Sequence, residues 1–466
     1  MTTTVPRATG GSAASPPPQH PGGSALLGHA RALQRDTIVA LEQISDGAAD
    51  GVMGFRIGPQ PAVAVSTPAT VREVLIDRAD DYGRGRRQTR ALTPLMGRGL
   101  LVSEGELHTR QRRIVLPHLS PRQVPRHADT IVAEAERYIA GWTEPTEVDL
   151  VAEMNSLTMN IVTQLLFSAD SRDNRELARA ITEAFEWEMH AITSVVAFPL
   201  WVPTARNRRA RRNIDLIRRW IADFIHRRRA EQAGESPPEV TDLLGDLMGT
   251  RYEDGTGMPD DLLLDEALTA WGASQETSAD AQAWTLYLLA THPEIRQRVR
   301  DEVDSVLGER TVTFDDLRQL PFCMQVFKEA MRLYPPASMI PRQAVRDTTV
   351  GGYRVKAGTM VFINAYSLHR RPEVYTDPER FDPDRFARTR EKALPKGAYL
   401  PFGTGGNVCP GSHLANMEGH LLTALLAQRL TVELLPGQRI RPELLVNLRP
   451  SPGVRARVSP RSRAGG

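Results

Sequence analysis

The spacing of apolar residues follows a helical period along most of the chain. Isoleucines three and four residues apart, from Ile214 to Ile225, share one face of the segment 208–229, and arginines occupy the opposite face. This pattern predicts an amphipathic helix. Residues 262–290 are apolar almost throughout and contain few helix breakers, so they are predicted to form a long helix buried at the centre of the protein. Another helix is predicted over 321–334, before a pair of prolines.

Strand-like alternation of apolar and polar residues is confined to a few short segments. Residues 54–66 alternate and break at glycine and proline, and residues 351–365 do the same, so a β-hairpin is predicted in each. Residues 366–412 are rich in Pro, Gly, Arg and Asp, and so irregular a stretch inside a compact protein is either functional or disordered. No segment reads as a linker between independent domains. The pattern predicts one large, mainly α domain with a minor β region.

The two ends of the chain differ in composition from its middle. Residues 1–22 are small, Pro-rich and nearly uncharged, which predicts a flexible leader. The leader lacks the apolar stretch of a secretory signal, and no apolar run reaches the length of a membrane-spanning helix, so we expect a cytoplasmic protein without a membrane anchor. The domain is predicted over 23–458 and a flexible tail over 459–466.

The overall charge excludes one class of function. The 466 residues include 58 basic and 56 acidic side chains, which leaves a net charge of +2. A dedicated nucleic-acid-binding protein shows a larger and clustered positive excess, so no nucleic-acid partner is expected. The chain has only two cysteines, Cys323 and Cys409, which excludes a disulfide framework.

The segment FGTGGNVCPG, from Phe402 to Gly411, carries the most specific chemical signal. Its glycines let the backbone approach a ligand closely, and Cys409 precedes a predicted helix, whose N-terminus favours the thiolate that binds metals or attacks substrates. A phosphate-binding loop is disfavoured because Val408 replaces the last glycine of that motif and no Walker-type lysine follows. A catalytic nucleophile is disfavoured because no histidine is linked to the motif. Thiolate ligation of haem iron is the third interpretation.

The third interpretation agrees with the spacing F-x-x-G-x-x-x-C-x-G, which Phe402, Gly405, Cys409 and Gly411 satisfy. On these residues the chain resembles the cytochrome P-450 family of haem-thiolate enzymes, over about residues 20 to 457. The resemblance implies a triangular, mainly α fold with a small β region. It also implies haem b as the cofactor, with the Cys409 thiolate as the iron ligand and with Phe402 and Gly411 beside the cofactor.

A second motif of the family lies in the helix that ends before the proline pair. Glu329-Ala-Met-Arg332 matches the family's E-x-x-R, and residues three apart share a helical face, so the two side chains can bond locally. In the family, an arginine from a later P-x-R-F segment joins this pair, and the cluster braces the haem-binding loop. Arg380 and Arg385 both fit that segment. Arg385 is preferred because it follows F-x-P and lies nearer the cysteine.

The long central helix contains Ala273-Ser-Gln-Glu-Thr-Ser278, which resembles the family's oxygen-activating A-G-x-[DE]-T-[TS]. The resemblance makes the Thr277 hydroxyl and the Glu276 carboxyl the catalytic residues, because cleavage of the O–O bond requires a supply of protons. Taken alone, a threonine within a helix usually bonds the carbonyl one turn back. Ser274 stands where the family has a glycine that permits the helix to open, so serine here narrows that space or adds a hydrogen bond.

Haem carries two propionates, so cations are expected beside it. His108 and Arg112 resemble the [WH]-x-x-x-R of the family's C helix, and Arg342 matches another arginine that binds a propionate. Without the resemblance, residues 108–113 would be a solvated basic face. Asn407 stands two residues before the cysteine, where the family often has arginine or histidine. Because asparagine hydrogen-bonds but does not neutralise charge, the other three residues are expected to anchor the propionates.

Apolar side chains occupy most positions that match the family's substrate-facing segments. They are Phe185, Trp187 and Met189 in the lid region, Trp271 and Ala273 on the central helix, and Met339 and Ile340 before Arg342. Their bulk suits a lipophilic small-molecule substrate, and each of them alone fits ordinary core packing equally well.

Together these residues predict a monooxygenase that inserts one oxygen atom from O2 into a C–H bond. The resemblance implies a monomer that receives electrons from a ferredoxin or flavodoxin and its NAD(P)H reductase. The chain resembles actinomycete-like bacterial members, which modify specialised metabolites such as polyketide macrolides or terpenoids. Two alternatives stay open. One is a haem enzyme of the same fold that works with peroxide or as an isomerase or dehydratase, which Ser274 favours; the other is a helical binding protein without a cofactor, which the cysteine loop disfavours.

Overall fold

The computed structural model describes residues 14–48, 50–170, 175–194, 198–234 and 242–461. Helices dominate this part of the chain, as the apolar spacing predicts. In chain order they are α1 (Ala30–Arg35), α2 (Thr37–Asp46), α3 (Pro68–Arg72), α4 (Arg86–Met96), α5 (Gly105–His118), α6 (Ala128–Ile139), α7 (Leu150–Phe167), α8 (Arg175–Thr193), α9 (Ala205–Gln232), α10 (Leu243–Gly249), α11 (Asp260–Thr291), α12 (Pro293–Leu307), α13 (Pro321–Leu333), α14 (Ala365–Leu368), α15 (Arg388–Ala393) and α16 (Ser412–Arg429). Among these helices, none combines the length and apolar character that crossing a membrane requires.

The strands are short and lie mainly in one mixed sheet. In chain order they are β1 (Val52–Ile57), β2 (Gln60–Val65), β3 (Tyr82–Gly83), β4 (Thr146–Asp149), β5 (Met339–Ala344), β6 (Thr348–Val350), β7 (Tyr353–Val355), β8 (Met360–Asn364), β9 (Leu430–Leu434), β10 (Arg441–Leu444), β11 (Leu448–Ser451) and β12 (Arg455–Pro460). The mixed sheet has the order β1-β2-β8-β5-β3, in which β2 and β8 run parallel. The other described sheets are β4-β12-β9, β6-β7 and β10-β11.

The helix α11 runs through the centre of the protein because it is apolar on most of its circumference. It packs on α7 along one side and on α13 and α16 along another. A helix without a polar face is stable only when other elements surround it. The isoleucine face predicted from the sequence belongs to α9, where these side chains are buried. The fold is therefore mainly α with a minor β region in one domain, as predicted.

One of the two predicted hairpins is confirmed and the other is wrong. Strands β1 and β2 pair antiparallel, with Val52 opposite Val65. In the second segment, β7 pairs with β6, whereas β8 inserts between β2 and β5 of the mixed sheet. Gly351 and Gly352 explain the difference, since both have positive φ and form the two-residue turn between β6 and β7. The sequence pattern located both strands but not their partners.

The described end of the predicted leader lies on the mixed sheet. The His20 N–H donates to the Gly54 carbonyl over 2.8 Å, and the Gly54 N–H donates to the Pro18 carbonyl over 2.7 Å. Residues 18–20 are therefore hydrogen-bonded to β1, because the edge of β1 offers them unpaired backbone groups. At the other end, residues 459 and 460 belong to β12 and not to a tail. Residues 1–13 and 462–466 lie outside the described residues.

The contact between α13 and α16 generates a prediction about stability. A Cβ at Gly419 would overlap the buried ring of Phe327, so the ring or the helix would have to shift. We expect Gly419→Ala to lower the free energy of unfolding by about 1–3 kcal/mol, as other overpacked cores do. Thermal or denaturant unfolding measures the effect. Gly249→Ala is the matched control, since a Cβ at this helical glycine meets open space. Equal stability of the two variants would contradict the prediction.

Candidate active site

The cysteine loop is held rigidly ahead of α16 by its glycines and its backbone hydrogen bonds. Gly403 and Gly405 have φ values of 70° and 73°, which residues with a side chain rarely adopt. A Cβ at Gly405 would also overlap the Leu75 carbonyl, so the loop packs directly on that backbone. The Cys409 N–H donates to the Phe402 carbonyl over 2.9 Å and closes the loop. The loop therefore presents the sulfur of Cys409 from a fixed backbone.

The side chain of Cys409 opens onto an internal cavity. Burial raises the pKa of its thiol, while the Gly411 N–H and the Arg112 guanidinium act in the opposite direction. Ligation by a metal ion displaces the proton in such a site.

The cavity extends from the cysteine loop to α11 and has a volume of about 1510 Å³. Ala273 and Thr277 of α11 line one side, and Met339 and Ile340 of β5 line another. The lid-region residues Phe185, Trp187 and Met189 line it as well. A cavity of this size with a mostly apolar lining accommodates a large cofactor together with a lipophilic ligand.

Trp271 is a correction to the predicted substrate pocket. Its side chain lies against Trp220 of α9 and donates from Nε1 to the Thr163 hydroxyl over 3.1 Å, and it is absent from the cavity lining. The helical period explains the error, because Trp271 and Ala273 are separated by about 200° around the axis of α11. The side of α11 that faces the cavity carries Ala273 and Thr277.

Four side chains with basic groups converge on the cavity near the cysteine loop. They are the predicted His108, Arg112 and Arg342, together with Arg84, which the sequence analysis missed. Burial and the neighbouring Arg84 together lower the pKa of Arg342 to about 10, and Glu104 acts against this shift. Burial, Arg84 and Arg112 lower the pKa of His108 to about 4, so His108 is neutral near pH 7 and acts there as a hydrogen-bonding group. Such mutual repulsion of buried cations favours an anion between them.

Arg84 supplies the charge that Asn407 lacks. Its guanidinium donates to the carbonyls of Ser103 and Leu100, over 3.0 and 3.1 Å, and approaches the Asn407 Oδ1 at 3.5 Å. Burial and the nearby Arg112 lower its pKa. The only sequence signal for Arg84 is a short arginine-rich stretch ahead of α5, and nothing in that stretch indicates which arginine points inward.

The residues present fit a haem group. Arg112 and Arg342 each donate to a backbone carbonyl, Val408 and Pro341 respectively, and no carboxylate pairs with either guanidinium among the described residues. A Cβ at Gly411 would lie 3.9 Å from the Cys409 sulfur, so glycine leaves the space beside the sulfur open. Cations without a carboxylate partner, beside a cysteine sulfur and an apolar space, match the charge and shape of a porphyrin with two propionates.

A buried charge cluster lies behind the cysteine loop. Arg332 donates to both oxygens of Glu329, over 2.7 and 2.8 Å, and neither side chain is exposed. Arg385 donates to Glu329 Oε1 over 3.3 Å. Arg380 contributes its backbone carbonyl to Arg332, and not its side chain. Of the two candidate arginines, Arg385 is therefore the one whose guanidinium reaches the carboxylate.

The hydroxyls of Ser274 and Thr277 are bonded within α11, and the carboxyl of the neighbouring Glu276 is buried. Thr277 Oγ1 donates to the Ala273 carbonyl over 2.9 Å, and the Ser274 hydroxyl donates to the Ala270 carbonyl. The helix is unbroken at Ser274. Burial raises the pKa of Glu276 to about 7, and the Asn447 amide and Arg449 act against this rise.

Glu418 of α16 is a second acid that the sequence analysis missed. It lines the cavity and accepts a hydrogen bond from the Ser278 hydroxyl over 2.9 Å. Burial raises its pKa to about 7. The sequence offered no signal for it, since an isolated glutamate in a predicted helix is usually solvated.

Three comparisons relate this chain to known proteins. The cytochrome P-450 family model matches residues 18–454. Cyclooctat-9-en-7-ol 5-monooxygenase from Streptomyces melanosporofaciens is 34% identical over 424 residues, which cover 90% of each chain. Pentalenene oxygenase from Streptomyces avermitilis is 30% identical over 446 residues, which cover 95% of this chain and 97% of that protein. Retinoic acid bound cyanobacterial CYP120A1 has a similar fold, with a TM-score of 0.85 at 23% identity over 97% of this chain and 100% of that one.

The buried charge cluster predicts a specific loss on truncation. Glu329→Ala leaves two guanidiniums buried without their carboxylate, and Arg385→Ala removes one of the two charges that balance it. Breaking a buried pair in this way costs about 3–5 kcal/mol. We expect a lower melting temperature and a lower haem content in both variants, with helix content by circular dichroism largely retained. Arg380→Ala is the control and should resemble the unmodified protein, since only its carbonyl takes part. Normal haem content in Arg385→Ala would contradict a bracing role.

Arg84 gives a second prediction for this site. We expect Arg84→Gln to fold normally and to lose haem roughly ten times faster, because a hydrogen bond to a charged group contributes about 1.5–3 kcal/mol. The rate of haem transfer to a scavenging apoprotein measures this loss. Arg110→Gln on α5 is the control, since Arg110 pairs with the exposed Asp254. An unchanged rate of haem loss in Arg84→Gln would show that Arg84 does not help to bind the cofactor.

Proposed function

The chain belongs to the cytochrome P-450 family and is a cytochrome P-450 monooxygenase, and from this premise we propose that it oxygenates a C–H bond of a terpenoid. The observation that carries the proposal is the cavity, in which the Cys409 sulfur and the Thr277 hydroxyl line a common, mostly apolar space. A bulky hydrocarbon skeleton fits such a space, because apolar lining stabilises it by desolvation and leaves few polar groups unpaired.

The terpenoid class is supported by the names of two relatives. One relative is named for oxygenation of cyclooctat-9-en-7-ol and another for oxygenation of pentalenene. Of the two substrate classes that the sequence resemblance implied, these names favour terpenoids over polyketide macrolides. The lid-region side chains Phe185, Trp187 and Met189 supply the apolar surface that a terpenoid requires.

We propose haem b as the cofactor, held by Cys409 through its sulfur. When bound, haem supplies the activation of dioxygen and the transfer of one oxygen atom to the substrate. Arg112 and Arg342 would bind its propionates as cations, joined by Arg84, and His108 would hydrogen-bond to them. Glu329, Arg332 and Arg385 hold the backbone that carries the cysteine loop, and they do not touch the substrate.

The proton supply is assigned to α11. The net reaction consumes dioxygen, two electrons and two protons and yields an alcohol and water, so acidic groups must reach the cavity. Glu276 lines the cavity and has a pKa of about 7, so it releases and regains a proton near neutral pH. Thr277 lies beside it, and its hydroxyl passes the proton on toward the substrate side of the cavity. The electrons come from a separate ferredoxin or flavodoxin with its NAD(P)H reductase.

A turnover experiment tests the proposed function. Purified holoprotein with a ferredoxin, its reductase and NAD(P)H is incubated with cyclooctat-9-en-7-ol or pentalenene under isotopically labelled dioxygen. We expect an alcohol that carries one labelled oxygen atom from at least one substrate. Cys409→Ala is the control and should give no product. If neither terpenoid is oxygenated while the wild-type protein binds haem normally, the assigned substrate class is wrong.

Thr277→Val tests the proton supply separately. The substitution keeps the shape of the side chain and removes its hydroxyl, so haem and substrate should bind nearly unchanged. General acid–base groups contribute about 10²–10⁴-fold to rates, and we expect a clear fall in product per NAD(P)H with a matching rise in hydrogen peroxide. Thr285→Val is the matched control, since Thr285 makes the same bond to the carbonyl one turn back but is absent from the cavity lining. Unchanged coupling in Thr277→Val would exclude Thr277 from the proton path.

A further inference from the structure

The hairpin formed by β10 and β11 is attached to the side of α11 that carries Glu276. Glu276, Asp280 and Trp284 recur at four-residue spacing and share that side. The Trp284 indole donates to the Leu448 carbonyl over 3.0 Å, and the Leu448 N–H donates to the Pro336 carbonyl over 2.9 Å. Leu448, the first residue of β11, is thus hydrogen-bonded both to the central helix and to the segment before β5.

The tip of the same hairpin is part of the cavity wall. Leu444, Leu445, Val446 and Asn447 all line the cavity. The Leu445 N–H donates to the Asn447 carbonyl over 3.0 Å, which holds the tip in a tight turn. A ligand that fills the cavity therefore presses on a turn whose last residue is Asn447.

The side chain of Asn447 connects this turn to Glu276. Asn447 Nδ2 donates to Glu276 Oε2 over 3.2 Å. An amide offers both a donor and an acceptor, so it can remain bonded whether the carboxyl is ionised or protonated. Few other side chains of this size both donate and accept a hydrogen bond. Asparagine is therefore suited to hold an acid that gains and loses a proton.

The charged groups around Glu276 leave its ionisation finely balanced. Glu188 of α8 is buried, has no hydrogen-bond partner for either carboxyl oxygen among the described residues, and faces Glu276. Asp280 of α11 faces it as a second acid, and Arg449 of β11 faces it as the cation. Burial dominates and raises the pKa of Glu276 to about 7, while Arg449 and the Asn447 hydrogen bond lower it. Near neutral pH, a small change at Asn447 therefore changes the ionised fraction of Glu276 substantially.

We propose that Asn447 is a positioning residue that sets the orientation and protonation of Glu276, so that the substrate-contacting hairpin controls the proton supply to Thr277. This inference rests on the proposed monooxygenase function. It assigns to the hairpin tip a role in coupling oxygen use to product formation, in addition to shaping the pocket.

The first test measures the protonation of Glu276 in the holoprotein without any substrate. Infrared spectra of wild type and Asn447→Leu are recorded across pH, and the Glu276 carboxyl signal is identified as the band that Glu276→Gln removes. Leucine keeps the size of asparagine but offers no hydrogen bond to the carboxylate. We expect the titration midpoint to rise by about one pH unit in Asn447→Leu. Arg441→Gln, an exposed position on β10, is the control and should keep the wild-type midpoint. An unchanged midpoint in Asn447→Leu overturns the proposal.

The second test measures coupling with cyclooctat-9-en-7-ol as the probe. We expect a severalfold fall in product per NAD(P)H in Asn447→Leu, with haem content and melting temperature unchanged, and a pH profile displaced in the same direction as the infrared midpoint. In the Glu276→Gln background, the same substitution should have no further effect, because it acts through the carboxyl. Additive losses in the double variant overturn the proposal. A wild-type protein that leaves the probe unchanged refutes the substrate assignment instead, and the infrared midpoint then decides on Asn447.

Discussion

The arrangement of the candidate site depends on one buried charge cluster. Glu329 on α13 is fully buried and balances Arg332 on the same helix and Arg385 from the irregular segment that follows. Charges without solvent are tolerated only when their partners are held in place, so the cluster forces α13 and the distant segment to meet. That segment continues into the cysteine loop. A purely apolar contact at this point would permit α13 and the segment that carries Arg385 to slide past each other. Paired hydrogen bonds between charged groups instead specify one relative position of the two.

The cavity wall carries two groups of ionisable side chains, the arginines near the cysteine loop and the acids along α11, and burial shifts their pKa values in opposite directions. Near the cysteine loop, burial lowers the pKa values of Arg84, Arg112 and Arg342, and a neighbouring arginine adds to this at Arg84 and Arg342. Along α11, burial instead raises the pKa of Glu276 and of Glu418. An unpaired cation cluster suits a ligand with fixed negative charge, whereas acids with a pKa near neutrality suit the movement of protons. The cationic group is thus suited to binding an anionic ligand, and the acidic group is suited to proton transfer.

Residue spacing within single elements was sufficient to predict much of this protein. The apolar content of residues 262–290 identified α11, and the periodic isoleucines identified α9, because a helix that must be buried records its packing in its own sequence. The loop motif around Cys409 and the E-x-x-R pair are also local, since their members lie within ten residues of one another. Local motifs of this kind are visible without knowledge of the fold.

The sequence by itself determined the fold class, the cysteine loop and the helix that carries Thr277, because each depends on neighbours along the chain. Only the tertiary structure decided that Arg84 lines the cavity with His108, Arg112 and Arg342, that Glu418 and Asn447 bond to Ser278 and Glu276 of α11, and that Trp271 faces away from the cavity. These outcomes depend on which helix or strand packs on which. Contacts between residues far apart in the chain leave no periodic pattern in either segment. Within α11, a rotation of about 200° around the helix axis separates the pocket residue Ala273 from the core residue Trp271.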